Sequence, residues 1–433
     1  MSKVFRYFFI FFIISKCSLH DGGGFWTNEK DIRDDTSLFK SILEEKKLEL
    51  KEFNPKYEIF LEKSKLSINK NSYLDNNDGY TLFNGSLEKK SKFHFSKIKN
   101  YQNFDPNLIF YKNRIIFFDN KGTILNFDEN SKLIWKKNYY TKDEKKSAPL
   151  LSMTQIKDRL IITDNLGKIY VLNINNGEIL WSKSNEAIFN SEVKVYDDKI
   201  FVVDTNNDLN CYSMISGEKI WMHITEKSFI NSSKVLSIII KDNIVVFNNS
   251  IGDIVAVNKD DGSLIWQIST QNSFDYDDIM NLKTSSLVAD KDSVYFSNNK
   301  NQFFSVDLPS GTINWIQSIN SDLKIGIAGK ILFTISLDGY FFVIDKESGN
   351  ILRITNLSDK NNKNKKKSNF PSGFIFNNVS AFISTNDGKL IIMEIKTGNI
   401  NKVLKIDNGR ISRPFAKGQK MYLIRDDSIL KLD

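Results

Sequence analysis

The chain has 433 residues, 41% hydrophobic and 12% aromatic, enough for a sizeable core and incompatible with disorder throughout. Six prolines and 21 glycines exclude a collagen-like or Gly/Pro low-complexity chain. The formal net charge of +8 is almost all lysine, arginine standing only at Arg6, Arg33, Arg114, Arg159, Arg353, Arg410, Arg413 and Arg425. A scattered lysine excess without clustered guanidinium groups speaks against nucleic-acid binding.

In chain order, Met1-Ser2-Lys3-Val4-Phe5-Arg6 gives a basic start, and the apolar run 7–14 follows it. That is the layout of an export signal, and the run falls well short of the roughly 20 residues that span a bilayer. Residues 1–16 are therefore expected to be a signal peptide. Gly22-Gly23-Gly24 reads as a flexible tether, and the stretch 28–71 as a lysine- and glutamate-rich spacer. Within it, Thr36 or Ser37 is positioned to cap a short helix carrying Leu38, Phe39, Ile42 and Leu43. Residues 17–80 are thus expected to be tether and spacer, and 81–433 a folded domain.

A repeat dominates that domain. Residues 159–181 read as an apolar strand, a turn at Gly167, a second strand, a turn at Gly177 and a third strand carrying Trp181. The same pattern recurs at 243–266, with Gly252, Gly262 and Trp266. First-turn and second-turn residues lie ten apart in six units: Gly167 and Gly177, Asn207 and Gly217, Gly252 and Gly262, Asn301 and Gly311, Gly339 and Gly349, Gly388 and Gly398. Four residues further on stand Trp181, Trp221, Trp266 and Trp315, then Arg353 and Lys402. An earlier copy from Gly122 to Trp135 is one residue shorter and lacks the second glycine. Tight hairpin turns need positive φ, which glycine and asparagine supply cheaply, and the β-branched and aromatic runs between them suit strands.

A four-stranded unit with two apolar faces cannot bury both alone, whereas units set radially cover one another. At about 40–45 residues per blade, the length from Lys97 onward predicts an all-β, eight-bladed β-propeller of four-stranded blades. The last unit lacks a strand, and 86–95 is expected to supply it, closing the ring. The recurrent tryptophans Trp135, Trp181, Trp221, Trp266 and Trp315 read as blade-docking rings, together with Gly177, Gly217, Gly262, Gly311, Gly349 and Gly398. The basic linker 359–368 reads as a solvated loop; contact with anionic lipid or an acidic partner is its functional alternative.

The two cysteines, Cys17 and Cys211, make neither a disulfide framework nor a metal site, and Cys211 sits where other units place a buried apolar strand residue. His20, His94 and His223 show neither metal spacing nor a nucleophile partner. No cofactor, metal, catalytic residue or small-molecule substrate is expected.

Asn-Gly-x-x-x-Trp after an aliphatic strand, as in 176–181, resembles the repeat of pyrroloquinoline-quinone (PQQ)-type propellers. Within that superfamily the layout is similar to the BamB family, lipoprotein subunits of the bacterial outer-membrane β-barrel assembly machinery. The likeness implies a non-catalytic scaffold that binds the barrel-forming subunit, and unfolded barrel proteins as further partners. It also implies lipidation at Cys17 and a place on the periplasmic side of the outer membrane, although Lys16 stands where lipoprotein signals carry a small residue. Partner contact in that family maps to the connection after the third repeat, here 226–231, where Phe229 and Ile230 are the apolar candidates; the family's leucine-and-arginine pattern is missing there. The alternatives are a periplasmic propeller that binds another envelope protein or a glycan, and a quinone-dependent dehydrogenase. The dehydrogenase lacks support in adjacent cysteines, and the acidic residues fall largely in turns, as at Asp260, Asp261 and Asp338.

Overall fold

The computed structural model describes residues 51–61, 72–98, 101, 105–227, 231–271, 281–358 and 370–433. The signal segment with Cys17, the helix expected after Thr36, Phe229, Ile230 and the basic linker 359–368 lie outside them.

The architecture is an eight-bladed β-propeller, each blade a sheet of four antiparallel strands. Blades 1 to 7 are contiguous in sequence, spanning 109–137, 151–184, 194–223, 238–269, 288–317, 326–356 and 371–405. Blade 8 takes three strands from the end of the chain, Phe415–Lys417, Lys420–Ile424 and Ser428–Leu432, and its outermost strand from Lys89–His94. That strand pairs antiparallel with Ser428–Leu432, Phe93 opposite Ile429. The ring therefore closes by hydrogen bonds between chain regions more than 330 residues apart in sequence, as with Ser86 Oγ donating to Asp433 O, and the open edge that would invite aggregation is covered.

Strand geometry explains why each blade has two buried faces. Successive residues point to opposite sides. In blade 2, Leu160, Ile162, Tyr170 and Leu172 join a cluster with blade 1. Ile161, Ile169 and Val171 join the cluster shared with blade 3, beside Val195, Ile200 and Val202. The two middle strands are consequently buried almost throughout, as in Leu160 to Asp164, while the fourth strand, Ile179–Ser184, is largely exposed.

Both turns of the repeat have the backbone that their residues allow. Gly167, Asn207, Gly252, Asn301, Gly339 and Gly388 have φ between 58° and 91°, and the second-turn glycines between 72° and 77°. Blade 1, which lacks the second glycine, places Ser131 there at φ 65°, and blade 8 places Leu87 there at φ 63°. Asp119, Asp164, Asp204, Asn249 and Asn298 add a device of their own at the first turn: each side chain accepts from the backbone N–H two residues on, which fixes the turn locally.

Part of the stretch expected to be tether and spacer packs on the ring. Phe53 forms a two-way backbone bridge with Ile354 of blade 6, and Ile59 is buried with its N–H donating to Lys396 O of blade 7. Residues 72–81, including the single helical turn Ser72–Asp75, run among the first strands of the blades.

A glycine pair separates turn strain from seam crowding. At Gly217 (φ 72°) an added Cβ would lie 2.6 Å from Trp181 Cε3; at Gly418 (φ 61°) it would meet nothing within 4 Å. Gly418→Ala should cost about 1 kcal/mol for the left-handed backbone alone, and Gly217→Ala more than about 2 kcal/mol because Trp181 must also shift. Urea titration of both variants checks this; equal losses would refute the seam contact.

Candidate functional site

Two places in the ring concentrate polar or aromatic groups that the β framework does not itself require. The first is the seam between blades. Each repeat tryptophan lies over the second-turn glycine of the following blade: Trp135 over Gly177, Trp181 over Gly217, Trp221 over Gly262, Trp266 over Gly311 and Trp315 over Gly349. The approach is so close that no Cβ fits, which is why glycine is needed here beyond its φ. Three indoles also donate across the seam: Trp181 Nε1 to Met214 O at 2.9 Å, Trp266 Nε1 to Leu308 O at 2.8 Å and Trp315 Nε1 to Lys346 O at 3.1 Å. All three carbonyls sit three residues before the glycine. We infer that the ring and its N–H together dock one blade on the next.

In the sixth unit that position is Arg353, and the structure shows the substitution to be conservative in geometry. Its guanidinium lies against Gly398, with Nε 3.1 Å and Cζ 3.2 Å from where a Cβ would stand, beside Thr355 Oγ1 at 2.7 Å. Nη2 donates to Ile395 O at 2.6 Å, again three residues before the glycine. Nη1 donates to Lys396 O at 2.7 Å and to Tyr57 O at 3.0 Å. A planar cation thus replaces a planar indole, and its extra donor holds segment 51–61, which an indole has no second N–H to reach. Arg353 is fully buried, and burial pulls its pKa down. Lys402, in the seventh unit, is exposed instead.

The second place is the axial channel. The first strands of the blades, with the loops that lead into them, face a common axis. A cavity of about 580 Å³ at one end draws its lining from all eight blades, among them Asp105, Ser152, Glu192, Lys234, Lys283, Lys324, Ser372 and Arg410. Residues 72–81 lie alongside. Lys194 Nζ donates to Tyr73 O at 2.7 Å, and also to Asn76 Oδ1. Asn76 Nδ2 donates to Ser237 Oγ, Ile238 O and Leu287 O at 3.1, 3.2 and 2.9 Å. Phe376 N donates to Gly79 O at 2.9 Å, and Thr81 N returns a bond to Phe376 O at 2.8 Å, a short parallel bridge.

At the centre stands Asp78. Arg413 grips its carboxylate with both terminal nitrogens, at 2.9 and 3.0 Å, and Lys324 adds a third contact at 2.8 Å. Burial opposes ionisation of Asp78, but the charges of Arg413 and Lys324 outweigh it and hold the carboxyl far below the usual range. Glu192 and Lys194 pair beside it at 2.9 Å. Gly373, at φ 147°, leaves the space that Arg413 uses: a Cβ there would lie 2.7 Å from Arg413 Cβ.

Of the residues named from sequence, the tryptophans and glycines come together at the seams. Cys211 is fully buried in the cluster shared by blades 3 and 4, and burial pushes its thiol up to about 12. Cys17, Phe229 and Ile230 lie outside the described residues. The flanks of the connection between blades 3 and 4 are exposed at Glu226, Lys227 and Asn231, and Lys234 and Val235 beyond them reach the mouth of the channel. Arg353 was placed in the tryptophan slot without a role, and Asp78, Lys324 and Arg413 were given none. The usable signal was arginine itself: in a chain that otherwise chooses lysine, two of the eight arginines occupy the buried positions that need a bidentate or planar donor. Among the described residues no group of three or more His, Cys, Asp or Glu could hold a metal ion, and no helix is long and apolar enough to cross a membrane.

Repeat, seam and ring define a propeller of the PQQ-repeat class. A PQQ-repeat family model, described as outer membrane protein assembly factor BamB, matches residues 120–355. The chain belongs to this BamB family of PQQ-repeat propellers. An uncharacterised protein of Rickettsia prowazekii (strain Madrid E) is 24% identical over 318 residues, 72% of this chain and 75% of that protein. The outer membrane protein assembly factor BamB of Shewanella oneidensis is 21% identical over 309 residues, covering 69% and 76%. Among solved structures, BamB from Moraxella catarrhalis superposes with a TM-score of 0.63 at 13% identity, over 79% of this chain and all of that one. A computationally designed protein, Ika8, matches with a TM-score of 0.61 at 14% identity, over 78% and 99%, so the ring geometry can arise without shared function.

Arg353→Trp should keep global stability within about 1.5 kcal/mol, since both groups fill the seam, yet raise hydrogen exchange across residues 53–59. Arg353→Ala should cost about 3 kcal/mol or more, leaving a cavity and removing the donor to the buried carbonyl of Ile395. Denaturant melts with exchange mapping decide it; protection of 53–59 surviving in Arg353→Trp would sink the latch. Separately, Cys211 should resist iodoacetamide at pH 8 in the native state and react at once in denaturant, as peptide mass mapping reads. Native labelling of Cys211 would contradict its burial.

Proposed function

We propose that this protein is a non-catalytic scaffold of the bacterial envelope that assists assembly and insertion of outer-membrane β-barrel proteins through protein–protein contact. The observation that carries the reading is family membership: the assembly-factor model spans the five consecutive tryptophan seams, from blade 1 to blade 6. The chemistry on the page agrees with contact rather than turnover. The polar cluster around Asp78 is ion-paired and bonded within the chain. The outer strands offer exposed apolar residues around the perimeter, including Leu180, Ile220, Leu264 and Ile316, which suit protein surfaces better than a small substrate.

The partners are the barrel-forming subunit of the assembly machinery and unfolded barrel proteins. Phe229 and Ile230 remain the proposed apolar contacts in the connection after blade 3, whose flanks are exposed. The protein sits on the periplasmic side of the outer membrane, held by lipid on Cys17 after removal of residues 1–16; the ring follows the tether.

The test is a crosslinked pull-down of the full-length protein from native envelopes, with mass spectrometry of what is captured. An outer-membrane barrel-assembly protein should be recovered, and a Phe229→Asp, Ile230→Asp double variant should reduce its recovery by about tenfold. Cys17→Ser should move the protein from the membrane to the soluble fraction. Enrichment of a different envelope protein or a glycan, with no barrel-assembly protein, would transfer the function to a general periplasmic binding module.

A further inference from the structure

The segment 72–81 is bonded to blades 3, 4, 5, 6, 7 and 8 through Lys194, Asn76, Lys324, Phe376 and Arg413. The bonds are of two kinds. Three read the segment's backbone: Tyr73 O, Gly79 O and Thr81 N are all taken by the ring. The others read side chains: the Asp78 carboxylate, the Asn76 amide, the Asp75 carboxylate beside Lys241 at 3.5 Å, and the Tyr80 hydroxyl, which donates to Asn378 Oδ1 at 3.0 Å. Of its side chains only Leu74 joins a hydrophobic cluster in full, with Tyr80 packed at the edge of another. The channel is also wider than the segment. A cavity of about 270 Å³ separates residues such as Tyr73, Asp78 and Tyr80 from the inner strands of blades 1 and 2, at Ile109, Ser152 and Thr154.

These features describe a receptor and its occupant rather than a continuous core. We propose that the axial channel is a binding site for an extended, carboxylate-bearing peptide, and that residues 72–81 occupy it in cis. The bonds to Tyr73 O, Gly79 O and Thr81 N do not depend on side-chain identity, whereas the Arg413–Lys324 pair makes the site selective for a carboxylate and the contacts of Asn76 add an amide. Two cations buried at the channel wall are costly when unpaired, so the segment leaves only when another carboxylate takes the place of Asp78. A tethered occupant also acts at an effective concentration of about millimolar, which keeps the site closed to weak competitors. Entry lies on the side of blades 1 and 2, where the cavity leaves room beside the bound segment.

Two full-length variants weaken the occupant by different routes. Asp78→Asn removes its charge. Asn76→Gly removes the amide anchor while keeping the ion cluster, and glycine tolerates the left-handed backbone there, φ 59°. The probe is a fluorescein-labelled synthetic peptide of residues 72–82, followed by anisotropy; a second probe carries asparagine in place of Asp78. Both variants should bind the first peptide about tenfold more tightly than the wild type, and the second about tenfold more weakly than the first. Hydrogen exchange across 72–81 should rise in both variants and fall again when the first peptide is added. The proposal is overturned if the folded variants gain no affinity, or if they bind the two peptides alike. Failure of both variants to fold overturns it too, because a segment the ring cannot lose is not an exchangeable ligand. If only Asp78→Asn fails to fold, Asn76→Gly decides.

Discussion

The structure depends on each blade being apolar on both faces. A sheet whose residues alternate between two buried sides has no stable existence alone. Each fully buried aliphatic or aromatic side chain contributes about 1.5–3 kcal/mol only once a neighbour covers it. Every blade is therefore a partner for two others, and the arrangement stops only when the ring is shut. In this chain the shutting is done by Lys89–His94, which completes blade 8 beside Ser428–Leu432. The tryptophan, or Arg353, over the next blade's glycine fixes how closely and at what rotation neighbours meet, because a flat group pressed on a bare backbone admits little sliding.

Closure at blade 8 also places the channel segment. The outermost strand of blade 8 is at the perimeter, and the residues before it cross from the axis, with Phe83 buried in the cluster that blades 7 and 8 share. Residues 72–81 then lie among the inner strands. The ring's periphery and its axis are stabilised by different physics. The seams are mainly hydrocarbon and aromatic contact, with indole or Arg353 hydrogen bonds and ion pairs such as Lys346–Asp290 across them. The axis is held by hydrogen bonds of the main chain and of Asn76 and by two ion-paired carboxylates, Asp78 between Arg413 and Lys324 and Asp75 beside Lys241, interactions whose net contribution after desolvation is small although their loss on one side is costly.

The repeat was legible because its determinants are local. Hairpin turns demand positive φ at fixed offsets, strands alternate with period two, and blade-sized spacing follows; counting strands exposed the gap that Lys89–His94 fills. Arg353 read as a departure from the repeat, because sequence spells residue type while the seam selects a planar donor. The channel segment was illegible for another reason. Asp78 meets Arg413 across 335 residues, and an aspartate in an asparagine-rich stretch has no period to mark it. Composition made 51–61 and 72–80 resemble the charged spacer before them, and only tertiary partners on blades 3 to 8 distinguish them.

These two regimes bear on what a scaffold of this kind can do. Contact with other proteins needs a perimeter whose geometry does not change when something binds, and apolar seams supply it. An exchangeable element is best placed where its removal exposes little apolar surface, since each uncovered aliphatic side chain would cost kilocalories that a ligand must return. The axis meets that condition: its occupant contributes one fully buried aliphatic side chain, Leu74, against the dozens in the seams. A ligand that restores a carboxylate between Arg413 and Lys324 and the backbone bonds at Phe376 replaces the contacts of Asp78, Gly79 and Thr81, and the bonds of Asn76 and Asp75 set how tightly it must bind to compete. Exchange at the axis would thus uncover little apolar surface while the ring around it stays fixed, and that separation follows from where the chain places its apolar residues and where it places its arginines.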